Sequence, residues 1–157
     1  MLPKRRWVNN MANDDDKGTT IYIDNLYYKH TSDEENIYSY QFLGKQLGLS
    51  NIELFTITVL IGKYVVKGRE EINDPATFIK YESALKSGEP IKILQILAIE
   101  ETNDINILND KPKMFDIWQG YAMAGMGEFC KWYHSNSIDL PAKLEDVMSE
   151  ALKSLNM

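Results

Sequence analysis

The chain has one cysteine and two histidines in 157 residues. A single thiol closes no internal disulfide, so packing alone must hold the fold, and a reducing cytoplasm is the expected compartment. Basic charge is short as well: 17 Lys and Arg stand against 23 Asp and Glu, a net charge of −6. Nucleic-acid binding draws on cations that neutralise phosphates, so an acidic chain offers DNA at most a local patch. Long apolar runs are missing. The longest, Ile93 to Ile99, is interrupted by Gln95 and falls well below the ~20 residues of a membrane helix, so no membrane association is expected. Lys4-Arg5-Arg6 is followed by Trp7-Val8-Asn9-Asn10 rather than an apolar core, so no secretory leader is read here. There is no G-x-S-x-G elbow, no Walker-type loop, no D-x-D-x-D-G calcium loop and no internal repeat.

What is present is the composition of a globular domain, with 44% hydrophobic and 25% charged residues in a length that suits one core. Residues 1–18 pair Lys4-Arg5-Arg6 with Asp14-Asp15-Asp16 around little that can be buried, and read as a disordered tail. Residues 19–157 read as a single helical domain. Thr20 to Tyr28 alternates partially and suits one short strand or an extended arm, with no second strand at hairpin distance. Ser32 and Glu35 fit a capping box, predicting a helix from near Asp33 through Tyr40, Leu43 and Leu47 to Gly48. Ser50 and Glu53 repeat the box for a helix over Ile52 to Val66, closed by Gly68. Asp74 and Pro75 suit an N-cap and first helical residue, predicting a helix over Ala76 to Leu85. Ile91–Glu101, apolar on most of its circumference, and Met114–Tyr133, with its seam Met114, Trp118, Tyr121, Gly125, Phe129 and Trp132, are expected at the centre. A last amphipathic helix covers Leu140 to Leu155. The fold class is therefore all-α: a compact orthogonal bundle of five to six helices, with room for one short N-terminal strand.

Few residues invite chemistry. Cys130 and His134 are four apart on one helical face, but no second ligand pair accompanies them for a metal. Cys130 also lies near a helix C-terminus, where the dipole disfavours a thiolate. Glu100, Glu101, Asp104 and Asp110 gather around a helix connection, where solvated carboxylates and a turn cap are the plain expectation. No catalytic, cofactor or metal residue is assigned. Lys63, Lys67 and Arg69 are the candidate contacts for a partner or nucleic acid. Gly120, Ala124 and Gly127 form a small-residue strip suited to close helix packing or a homodimer interface.

The stretch Leu97-Ala98-Ile99-Glu100-Glu101-Thr102-Asn103-Asp104, then Ile107-Leu108-Asn109-Asp110, Phe115-Asp116-Ile117 and Tyr121-Ala122-Met123-Ala124-Gly125, resembles small proteins of prokaryotic DNA phosphorothioation (Dnd) systems. Upstream, Leu54-Phe55 through Leu60-Ile61-Gly62-Lys63-Tyr64 is similar to a helix of those proteins. The resemblance spans about residues 50–133 and departs at Met123-Ala124-Gly125, where the family pattern is richer in glycine. It implies a non-enzymatic accessory protein of a DNA modification or defence system, partnering a DNA-processing complex, and it carries over no catalytic residue. A nucleic-acid-binding regulator using the Lys63, Lys67 and Arg69 patch is the alternative expectation, and a hydrolase built on Cys130 and His134 or on the carboxylates the third.

Overall fold

A computed structural model describes residues 18–28 and 36–155. Strand β1 (Thr20–Asp24) runs into a 3-10 turn at Asn25–Tyr27, and helix α1 spans Tyr40–Leu47. Helix α2 (Asn51–Ile61) continues directly as a π-helical segment, Gly62–Val66. Then come β2 (Pro75–Lys80), α3 (Tyr81–Ala84), α4 (Glu89–Thr102), a 3-10 turn at Ile105–Asn109, α5 (Lys111–Tyr133) and α6 (Leu140–Ser154). The chain is mostly helical, with one antiparallel two-stranded sheet. Among the described residues no single helix is long and apolar enough to cross a membrane.

Most helix ends follow local chemistry. Ser50 Oγ accepts from the Glu53 backbone N–H at 3.3 Å while Glu53 Oε1 accepts from the Ser50 N–H at 2.8 Å, the reciprocal box expected from the sequence. Asp110 Oδ1 caps α5, with Pro112 in its first turn, where a missing N–H is tolerated. Two ends differ from expectation. Asn36 to Ser39 form a turn and a bend, and the cap of α1 is Ser39, whose Oγ accepts from Phe42 N–H at 3.0 Å. Ser32 and Glu35 lie outside the described residues. The stop after α2 is Lys67, left-handed at φ 61°, rather than Gly68. The π turn adds a residue before the end, and Lys67 N–H closes it on Gly62 O at 2.8 Å.

The helix expected over Ala76 to Leu85 is mostly a strand. β1 is buried at all five positions, so its backbone polar groups need internal partners. Buried Asp24 supplies the clamp: its Oδ2 accepts from the Asn73 and Asp74 N–H groups at 2.9 and 3.2 Å, and Asn25 N–H donates to Asp74 O at 2.8 Å. That fixes Pro75 opposite Asp24 and starts an antiparallel ladder in which Thr20 meets Lys80. Thr77, Phe78 and Ile79 are β-prone, and tertiary pairing decides the state. Only Tyr81–Ala84 of the expected helix remains helical.

The centre is also placed differently. Helix α5 does run through the core, with Trp118, Met114, Met126 and Phe129 fully enclosed. Its principal neighbour is α2, not α4. A Cβ built on Gly125 would overlap Thr58 O of α2 and lie 2.7 Å from Gly62 N, and one on Gly62 would overlap Tyr121 O. The two backbones touch there, which only glycine permits. Helix α4 joins through Trp118, whose indole N–H donates to Leu94 O at 2.8 Å, and through the Tyr81, Phe115 and Trp118 rings beneath it.

Loss of the α2 cap tests the local part of this account. Ser50→Ala should lower stability by about 1 kcal/mol in urea unfolding; an unchanged midpoint would show the box contributes nothing.

Candidate functional site

Three surroundings hold the polar side chains that could act. The first begins where α2 becomes the π segment. Lys63 reaches Glu100 at 3.0 Å and is hydrogen-bonded to Glu101, both on the last turns of α4. Tyr121 of α5 donates its hydroxyl to the other Glu101 oxygen at 2.9 Å. Lys63 Nζ lies 5.4 Å from the Tyr121 ring centre, and Arg69 caps the same ring at 5.7 Å. Burial pulls the Lys63 ammonium pKa down, but its bonds to Glu101 and Glu100 outweigh this and hold it above the ordinary lysine value. Burial pushes Glu101 up, yet its bonds to Lys63 and Tyr121 win and hold it below the usual carboxylate range. Neighbouring Tyr64 buries its hydroxyl with no hydrogen-bond partner among the described residues, and burial raises its pKa to about 12.

The second is a groove between the extended segment after Lys67 and the face of α5. Its lining is Arg69, Glu70, Glu71, Ile72, Asp116, Gln119 and Gly120. Gly120 is the reason the segment lies so close: a Cβ there would meet the Arg69 side chain at 2.9 Å, and Glu70 N–H donates to Gly120 O at 3.0 Å. Burial raises the Asp116 carboxyl, with Arg69 opposing.

The third surrounds Cys130 and His134. Both reach the same turn: Cys130 Sγ lies 3.6 Å from Tyr38 O, and His134 Nε2 bonds Ile37 O at 3.0 Å. Burial pushes the Cys130 thiol up to about 12, so it stays protonated at neutral pH. These two residues fasten residues 37–38 to the end of α5. With Leu26, Tyr27, Tyr38, Gly127 and Lys131 they line a largely apolar groove.

The expected contact residues are therefore divided. Lys63 and Arg69 meet around Tyr121, and Lys63 is neutralised by two carboxylates. Lys67 faces a separate groove with Trp132, Lys143, Asp146 and Glu150. Of the small-residue strip, Gly120 lies under Arg69 and Ala124 is buried, while Gly127 is half-buried and lines the third groove, where an added Cβ would stand 3.5 Å from the Tyr27 hydroxyl. The four carboxylates do not form one site: Glu100 and Glu101 both hold Lys63, Asp104 caps the 3-10 turn and Asp110 caps α5. Sequence reading missed Gln119, Tyr64 and Asp24. A buried Gln or Asp leaves no local signature, because its partners are distant in the chain.

Comparison of the chain with protein-family models, with curated proteins and with solved structures returned no match in any of the three.

Lys63→Met should lower stability by about 1 kcal/mol at neutral pH, a figure reduced for solvent screening. Glu101, held low, contributes stability above the ordinary carboxylate range that is lost as pH falls through its folded pKa. Lys63, held high, contributes below the ordinary lysine range and loses this as pH rises through its folded pKa. The gap between wild type and variant, read by urea melts from neutral pH downwards, should therefore narrow on acidification; a constant gap would contradict the pairing. Cys130 should resist iodoacetamide in the folded chain at neutral pH and react on unfolding, as read by mass spectrometry.

Proposed function

We propose that this chain, arranged as an orthogonal bundle, is a non-enzymatic interaction protein of the cytoplasm whose partner is a protein of a DNA-processing complex. The single observation that supports an interaction role most is the apolar face around the third groove. Leu26 is 60% exposed, Tyr38 48% and Ile37 40%, and large apolar side chains gathered at one groove mark a contact surface. Cys130 and His134 hold that face in shape rather than presenting free reactive atoms. The link to DNA modification or defence comes from the phosphorothioation-family resemblance of residues 50–133.

DNA contact through Lys63, Lys67 and Arg69 is the weaker reading. Glu100 and Glu101 neutralise Lys63, and Lys67 shares its groove with Asp146 and Glu150, so little positive field is left for phosphates.

Affinity capture from the native host with the full chain tests the proposal. A DNA-processing protein should be recovered with wild type and lost with Leu26→Asp and Tyr38→Ala, whose circular dichroism should be unchanged. A partner set without any DNA-processing protein would overturn the defence assignment. Retention by both variants would overturn the assigned face. A gel shift at low salt on modified and unmodified DNA should show no binding; a salt-sensitive shift would favour the regulator instead.

A further inference from the structure

Helix α6 buries only Val147 and Ala151 of its fifteen residues, whereas α5 buries fourteen of twenty-three. Leu144 and Leu140, three and seven residues before Val147, extend the same face and are half-buried. Met148 and Leu152, the next row round the helix, remain exposed. The seat of α6 is thus one narrow apolar row, resting mainly on α2 and the π segment. Among the described residues no side chain of α6 makes a hydrogen bond or ion pair with the rest of the fold. Its one polar tie there is Lys143, whose Nζ lies 5.5 Å from the Trp132 ring centre. A groove of about 340 Å³ stays open along the seam between α6 and the π segment, with Trp132 in its lining.

The connection to α5 is self-contained. Ser137 N–H donates to Ser135 Oγ at 3.2 Å, the two hydroxyls lie 3.1 Å apart, and Asp139 Oδ1 caps α6 itself by accepting from Ala142 N–H at 3.3 Å. Residues 136–139 can therefore turn without breaking a polar contact to the body. Elements with few buried apolar contacts open locally, at less than the cost of global unfolding. We propose that α6 is a lid, hinged at residues 136–139, that opens as one unit and uncovers Trp132 and the flank of the π segment beside it. With the lid closed Trp132 is only 4% exposed, and its indole N–H donates to Glu128 Oε2 at 2.9 Å. A detached helix of this length is marginal in water, so opening also strips the α6 amides of protection. The seam shares no lining residue with the apolar face around Leu26 and Tyr38, so the lid stands or falls independently of the partner assigned there.

Native-state hydrogen exchange of the full chain, followed by NMR at low denaturant, tests this. The slowest amides of α6, around Val147 and Ala151, should share one opening constant. They should exchange about a hundredfold faster than the amides of residues 58–62 and 121–125, where α2 crosses α5. Val147→Ala thins the seat without adding a polar group. It should speed the α6 amides and the Trp132 indole N–H together by about tenfold and leave residues 58–62 and 121–125 unchanged. The Trp118 indole N–H, donated to Leu94 O in the core, should stay slow in both proteins. Protection that rises smoothly inward from each end of α6 would mean fraying and would overturn the proposal. So would α6 amides as slow as those of the crossing, a Trp132 N–H that Val147→Ala leaves unchanged, or a variant that speeds α6 and the crossing equally.

Discussion

The contact on which the rest of the molecule depends is the crossing of α2 and α5 at Gly62 and Gly125. Thr58 and Gly62 on one helix, and Tyr121 and Gly125 on the other, are each four residues apart, so the two helices present matching rows. With no side chain at either glycine, backbone rests on backbone. The regular α-helix ends at that point, because Gly62 opens the π turn. The turn directs Lys63 and Tyr64 toward α4 and α5, and the left-handed Lys67 sends the chain back across Gly120. From there the chain reaches Asn73 and Asp74, which Asp24 fixes beside β1. One close crossing thus sets the charged cluster, the groove over Gly120 and the register of the sheet.

The same geometry decides how polar side chains are used. Several groups that could attract a chemical role are engaged in shaping the fold: Lys63 ties the π segment to α4, Cys130 and His134 secure residues 37–38, and Tyr40 donates to Thr58 Oγ1, whose own proton goes to Phe55 O. Among the described residues, an apolar face around Leu26 and Tyr38 and the charged grooves beside Gly120 and Lys67 remain outward.

Much of the helical architecture was legible because its signals are local. Ser50 with Glu53, Asp110 with Pro112, and the spacing of Met114, Trp118, Phe129 and Trp132 each specify their element within a few residues. The strand at Pro75–Lys80 was not, since Asp74-Pro75 is an equally good helix start until Asp24, some fifty residues earlier, takes the backbone N–H groups. Gly125 was visible as a small residue in the α5 seam, but its partner Gly62 looked like an ordinary helix position. The pairing of the two is a property of the crossing and not of either segment. The same holds for Gln119, whose meaning depends wholly on Tyr22.

The central claim is that backbone contact at this crossing organises the fold. Urea unfolding of Gly125→Ala beside Gly68→Ala measures it most directly. A Cβ at position 125 has no room against Thr58 O, whereas one at Gly68 meets nothing within 4 Å. The account predicts that Gly125→Ala loses about 3 kcal/mol while Gly68→Ala stays within about 0.5 kcal/mol of wild type. Equal stability of the two variants would contradict it.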